Sequence, residues 1–120
     1  MIADDSGTAR LFTKRCVQIA GFKDATLIEA VDGADAWNKC QADKPDLLLT
    51  DLTMPNMDGT ELLRNVKSVP ATKDIPVIVV TSAGNPAKEK ELVEIGAAAV
   101  ILKPISPPKL VPAIMKVKKG

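Results

Sequence analysis

The sequence predicts a single α/β domain spanning residues 1–120, an open parallel sheet with helices on both faces. Three observations lead there. Short apolar runs alternate with stretches of helical periodicity. The runs are continuous rather than alternating, as strands buried on both faces are. Capping residues bracket the helical stretches in the right order.

The apolar runs fall at residues 1–3, 26–30, 47–50, 77–81 and 98–102. Before the second run, Phe12, Cys16 and Ala20 recur at i, i+4 and i+8, a helix face, with Ser6 placed to cap it and Gly21 to stop it. Asp32 is placed to cap a second helix, whose Ala34, Trp37 and Cys40 fall at threefold spacing. Residues 59–68 and 86–95 read as the third and fourth helices. Asn85 precedes Pro86 as an N-cap followed by proline at the first helical position, and Gly96 can close that helix. Ser106 and Pro107 repeat the arrangement for a fifth. Two features are odd. The first run is very short. Pro112 falls inside the fifth helix, where proline costs roughly 3 kcal/mol, so that helix is expected to kink or to start later than Ser106 suggests.

Composition removes several functions. Hydrophobic residues make up 46% of the chain, enough for a core and against disorder. The net charge is +1 with no basic stripe, so no direct nucleic-acid partner is expected, and the tail "KVKKG" reads as solvated. No apolar run has the length of a membrane span and none resembles a signal peptide, so the expectation is a cytoplasmic chain without membrane contact. Cys16 and Cys40 lack metal or redox spacing. Cys16 reads as a small hydrophobe on a core face, and Cys40 as an ordinary thiol near a helix end. The chain has no histidine. That excludes Ser-His-Asp and Cys-His nucleophiles, His-ligated zinc, and any role as a phosphohistidine donor. Neither phosphate-binding glycine motif, GxxxxGK[ST] or GxGxxG, occurs.

In open parallel sheets the ligand site lies outside the carboxyl ends of the strands. Here those ends carry Asp4-Asp5, Asp51, Thr81-Ser82 and Lys103-Pro104. Each has an ordinary explanation alone: a helix cap, a loop aspartate, a strand-ending threonine, a solvated turn. Together they place three carboxylates, a hydroxyl and an ammonium at one edge. Two like charges about 4 Å apart repel by roughly 4 kcal/mol at an effective dielectric of about 20. Such a cluster takes up protons or binds a cation. An all-oxygen site with few protein ligands suits Mg²⁺, and with Lys103 alongside, the fitting guest is an oxygen-rich anion such as a phosphoryl group. A carboxylate can itself be the nucleophile that accepts it, with metal and lysine neutralising the transferring oxygens.

The segments "DDS", "DLTMPNMDG", "VIVVTSAG" and "EIGAAAVILKPI" carry a resemblance. In this order and spacing, over essentially the whole chain, they resemble the receiver domain of bacterial two-component response regulators, of the single-domain chemotaxis type. The resemblance implies a flavodoxin-like, doubly wound sheet of five parallel strands in order 2-1-3-4-5, with five helices. It implies that Asp51 is the phosphoacceptor. Asp5 would be a direct Mg²⁺ ligand, with Asp4 acting mainly through water, and Asp51 and the Thr53 carbonyl completing the protein ligands. Thr81 would be the switch hydroxyl, Lys103 would pair with the phosphoryl group, and the Lys103-Pro104 bond would be cis. The implied partners are a histidine kinase or histidine phosphotransfer protein and a downstream protein target. The implied reaction is the chain's own phosphorylation and dephosphorylation, not turnover of a separate substrate. It would bias the face built by the fourth helix, fifth strand and fifth helix, and a full switch needs about 5.5 kcal/mol of differential stabilisation.

The sequence departs from that family at two places. Where an aromatic switch residue often stands, three positions before the lysine, this chain has Val100. Its aromatics are Phe12, Phe22 and Trp37, with no tyrosine. A muted conformational response is expected. Pro112 falls on the expected target face, so partner choice is expected to differ from that of chemotaxis proteins. Leu11 and Ile19 are expected to be partly exposed on the first helix, a region that docks the histidine-bearing partner in this family. Two other functions compete. One is a receiver-like binding module with weak or no phospho-switching. The other is an aspartyl-phosphate phosphohydrolase, disfavoured because those enzymes usually carry an acid/base aspartate two residues after the nucleophile, where this chain has Thr53.

Overall fold

The structure, a computed structural model, describes residues 1–22, 25–82 and 84–118. Five strands, β1 (Ile2–Ala3), β2 (Glu29–Ala30), β3 (Leu48–Asp51), β4 (Val77–Thr81) and β5 (Ala99–Leu102), form one parallel sheet in order β2-β1-β3-β4-β5. Five helices connect and cover it: α1 (Gly7–Val17), α2 (Gly33–Asp43), α3 (Gly59–Ser68), α4 (Pro86–Ile95) and α5 (Pro107–Lys118). This is the expected doubly wound order. No helix among the described residues is long and apolar enough to cross a membrane.

The continuous apolar runs divide by the two-residue period of a strand. Ala3, Leu48, Val77 and Val79 join α2, α3 and α4 through Cys40, Leu62, Leu63, Val66 and Leu92. Ile2, Leu49, Ile78, Val80 and Ile101 point the other way, onto Cys16 and Val17 of α1 and Leu110 and Ile114 of α5. One sheet therefore serves two cores, and neither face of β3 or β4 can accept a charged side chain cheaply until the strand ends; the buried Thr50 hydroxyl is satisfied by donating to the Asp51 carbonyl at 2.9 Å.

The caps form as the sequence suggests. The Ser6 hydroxyl accepts from the Ala9 amide, the Asp32 carboxylate from Asp35 and the Asn85 side chain from Lys88, while Asp58 caps α3 by accepting from Glu61. A π-helical turn (Gln18–Phe22) extends α1 and ends through Gly21 at φ +108, a backbone conformation that glycine takes freely. Gly96, at φ +132, closes α4.

Several expectations need correction. The inward face of α1 is Thr13, Cys16 and Val17, whereas Phe12 is 48% exposed and Ala20 only half-buried. A lone apolar spacing of four did not account for the polar Thr13 turning inward. In α2 the buried residues are Gly33, Ala36 and Cys40 rather than Ala34 and Trp37, which are half-buried. Cys40 is a core thiol, wholly enclosed beside the Met1 sulfur, and burial pushes its pKa up to about 11. β2 is shorter than its apolar run because β1 offers it only Ile2 and Ala3 as ladder partners. α5 does start directly after Ser106, whose carbonyl accepts from the Leu110 amide, and it runs on past Pro112. The carbonyl deprived of its donor belongs to Pro108, one turn back, and Pro108 and Pro112 are both exposed. Leu11 and Ile19 are exposed as expected.

Candidate functional site

Parallel register brings the polar strand ends to one edge. Ala3 pairs with Thr50, Asp51 with Val80 and Thr81 with Leu102, so the residues at or just past these positions emerge side by side. One carboxylate oxygen each from Asp4, Asp5 and Asp51 lies within 4.8 Å of the others. Asp4 is buried, Asp51 half-buried and Asp5 exposed.

Each member is held by its own backbone neighbourhood. Asp4 donates its amide to the Ala30 carbonyl, and its Oδ1 accepts from the Ser6 amide at 2.9 Å. Its carbonyl accepts from the Arg10 guanidinium at 2.7 Å. Asp4 is therefore not the helix cap; Ser6 is. Asp51 Oδ1 accepts from the Leu52 amide at 2.9 Å, a donor shared with the Val80 carbonyl at 3.0 Å. Lys103 Nζ lies 3.4 Å from Asp51 Oδ1 and 3.6 Å from Asp4 Oδ2. Burial raises the Asp51 pKa above the ordinary carboxylate value. Lys103 opposes that rise, the nearby Asp4 charge adds to it, and the Leu52 and Lys103 hydrogen bonds counter it further.

Thr81 is buried at the end of β4, and its carbonyl accepts from the Lys103 amide at 2.7 Å, so the two are set by the same ladder. The Lys103-Pro104 peptide is cis, as expected. Thr53 lies in the exposed turn two residues beyond Asp51. The structure thus brings Asp4, Asp5, Asp51 and Lys103 into direct proximity, with Thr81 beside them.

Uncharged residues also shape the site, those of segment 54–59 as the turn after Asp51 leads one to expect and others unforeseen. Gly59 lies against the Asp51 carbonyl so closely that a Cβ would overlap it, and its amide donates to the Leu52 carbonyl at 2.7 Å. Gly33 is pressed in the same way against the Met57 carbonyl. Asn56, at φ +68, donates to Asp32 Oδ2. The glycine and asparagine of "NMDG" announce a turn, but nothing in the sequence says that Asp32 receives it.

The donor set fits a hard divalent cation. All three side-chain donors are carboxylates, one lysine only partly offsets them, and Asp5 stays open to solvent. Oxygen-only ligation with room for water suits Mg²⁺.

Comparison with known proteins agrees with this geometry. The model of the response regulator receiver domain family matches residues 1–115. The chain is 33% identical to the chemotaxis protein CheY of Thermotoga maritima, over 99% of this chain and 96% of that one. It is 34% identical to the chemotaxis protein CheY1 of Helicobacter pylori, over 89% and 86%. The solved structure of the Vibrio cholerae chemotaxis protein CheY4 superposes with a TM-score of 0.84 at 29% identity, covering 97% of this chain and 94% of that one. The fold, the acidic edge and these likenesses agree: this chain belongs to the response regulator receiver domain family.

Proposed function

We propose that this receiver domain accepts a phosphoryl group on Asp51 from the phosphohistidine of a histidine kinase or histidine phosphotransfer protein. The observation that carries the proposal is Lys103 Nζ at 3.4 Å from Asp51, inside a cluster of three carboxylates. Receiver domains are signalling switches rather than enzymes, and they bind Mg²⁺ at an acidic pocket. Asp5 is assigned as a direct Mg²⁺ ligand and Asp4 as one acting mainly through water, with Asp51 and the Thr53 carbonyl completing the protein ligands. When bound, Mg²⁺ supplies positive charge against the oxygens of the transferring group.

An Asp51 carboxylate oxygen attacks phosphorus. The phosphorus–nitrogen bond breaks, and the imidazole nitrogen leaves with the electron pair. β3 and the Leu52 amide hold the nucleophile in place before the donor arrives, which is most of what such a reaction asks of a protein. Lys103 neutralises charge on the phosphoryl oxygens, and the Thr81 hydroxyl bonds to one of them. Water later cleaves the acyl phosphate to inorganic phosphate and restores the carboxylate. The downstream target reads the face of α4, β5 and α5, where Val93, Leu102, Val111 and Met115 are exposed.

Intact mass after incubation with Mg²⁺ and acetyl phosphate tests the proposal. The expected result is one labile phosphoryl group on the wild type and none on Asp51→Asn. A wild type that binds Mg²⁺ yet takes no phosphate from either acetyl phosphate or a phosphohistidine protein would leave a receiver-like binding module.

A further inference from the structure

The turn after Asp51 is held from outside its own elements. Asn56 sits in that turn at φ +68, a left-handed conformation that asparagine tolerates better than most residues. Its Nδ2 donates to Asp32 Oδ2 at 2.7 Å. An ionised carboxylate can only accept, so the amide nitrogen must be the atom facing it. The other oxygen of Asp32 accepts from the Asp35 amide at 2.7 Å and caps α2. One carboxylate therefore serves two loops, one oxygen to each.

The surroundings make this bond a junction. Gly33, next to Asp32, packs so tightly on the Met57 carbonyl that no side chain fits between them. Met54 is buried in the core, and the Gly59 amide returns to the Leu52 carbonyl. Asp32 is itself braced. Asp35 Oδ2 accepts from the Val31 amide and lies 3.2 Å from Lys39 Nζ. Lys39 donates to the Glu29 carbonyl, Glu29 pairs with Arg10, and Arg10 donates to the Asp4 carbonyl. The contacts run from Asp4, on one side of the acidic cluster, around to the turn behind Asp51 on the other.

We infer that Asp32 is a positioning residue for the acidic site, acting through Asn56 to set the turn that carries Thr53 and abuts Asp51. This rests on the reading of that site as the Mg²⁺ and phosphoryl site. Neither residue touches the reacting atoms; their role is to fix where the ligands of the turn stand.

Two variants delete the bond and keep what each residue does locally. Asp32→Ser remains a good helix cap but cannot reach Asn56. Asn56→Gly keeps the left-handed turn and removes the donor. A third, the exchange Asp32→Asn with Asn56→Asp, reverses donor and acceptor at unchanged net charge. Mg²⁺ affinity by calorimetry and phosphorylation rate with acetyl phosphate are measured beside thermal melting. Each single variant is expected to weaken Mg²⁺ binding and slow phosphorylation by about tenfold. The two together should be no worse than either alone, and the exchange should recover most of the loss. Wild-type Mg²⁺ affinity and rate in both single variants, whatever their melting temperatures, would overturn the inference. So would losses that simply add. A wild type that neither binds Mg²⁺ nor gains phosphate would overturn the underlying functional reading first, and the wild-type arm alone reveals that case.

Discussion

Lys103 Nζ stands 3.4 Å from Asp51 Oδ1 without displacing the Leu52 amide, which donates to the same oxygen. The nucleophile is therefore neutralised from one side and oriented from the other. Burial raises its pKa, and the ammonium works against that rise. The site is an electrostatic compromise, and removing either partner should shift it in a defined direction.

Lys103→Met removes the positive charge and leaves burial and Asp4 less opposed. The Asp51 carboxyl is expected to titrate at higher pH than in the wild type, followed by its carboxyl carbon-13 shift. Mg²⁺ should bind more tightly, by roughly tenfold, which corresponds to about 1.4 kcal/mol, because one competing cation has left a cluster of three carboxylates. Calorimetry checks this. An unchanged affinity would mean that the ammonium does not face the cluster in solution.

Asp51→Asn should stabilise the Mg²⁺-free protein at neutral pH. The folded-state pKa of Asp51 is raised above its ordinary value of 3.8, so the folded protein holds this proton more tightly than the unfolded chain does. The stability this group contributes is fully present below 3.8 and is lost as pH rises through the folded pKa. Above that window the wild type bears a buried charge that the amide lacks. Melting temperatures measured without Mg²⁺ should show the variant ahead at neutral pH and the gap closing toward pH 4 and below, relative to the window's lower edge at 3.8. A wild type more stable than the variant at neutral pH without Mg²⁺ would contradict this account.

Most of the fold and the charged part of the site were legible in the sequence, for a physical reason. A parallel strand buried on both faces cannot cheaply carry a charge until it ends, so the first carboxylate after "LLLT" marks both the strand end and the site. The same rule located Asp4, Thr81 and Lys103. What could not be read was which way half-apolar helices turn. Phe12 and Thr13 are adjacent on α1, and the polar Thr13 is buried while the aromatic Phe12 is 48% exposed, so residue type does not decide which of them turns inward. The long-range contact that braces the turn was also hidden. Asp32 looks like an ordinary cap, and its second oxygen, which holds Asn56, belongs to a contact 24 residues away.

Gly59→Ala should damage both stability and the site. The glycine is the first residue of α3, so its helical backbone suits alanine. The obstacle is space, because a Cβ would overlap the Asp51 carbonyl and lie 2.9 Å from Leu52 Cα. Backbone cannot move aside as a flexible side chain can. The expected loss is about 1–3 kcal/mol, with weakened Mg²⁺ binding because Asp51 must shift. Gly84→Ala is the matched control. Among the described residues its Cβ would meet the Leu102 side chain alone, at 3.8 Å, and a change of less than about 0.5 kcal/mol is expected. Denaturant unfolding of the two variants decides the matter, and equal losses would remove the steric explanation.

Val100 should leave the switch muted. It lies on β5 opposite Val79, half-buried, and packs against the core that holds α2, α3 and α4. A β-branched side chain is stiff about χ1 and has no long arm to swing between buried and exposed positions. Changes at Thr81 therefore have little to push against at Val100. Amide chemical shifts recorded with Mg²⁺, with and without a beryllofluoride phosphoryl mimic, should change strongly near Asp51, Thr81 and Lys103 and weakly around Val100 and the exposed faces of α4 and α5. Val100→Tyr supplies the missing rotor and should spread the perturbation along β5. A large response around Val100 in the wild type would show that the conformational change travels without an aromatic side chain, and the muted switch would be wrong.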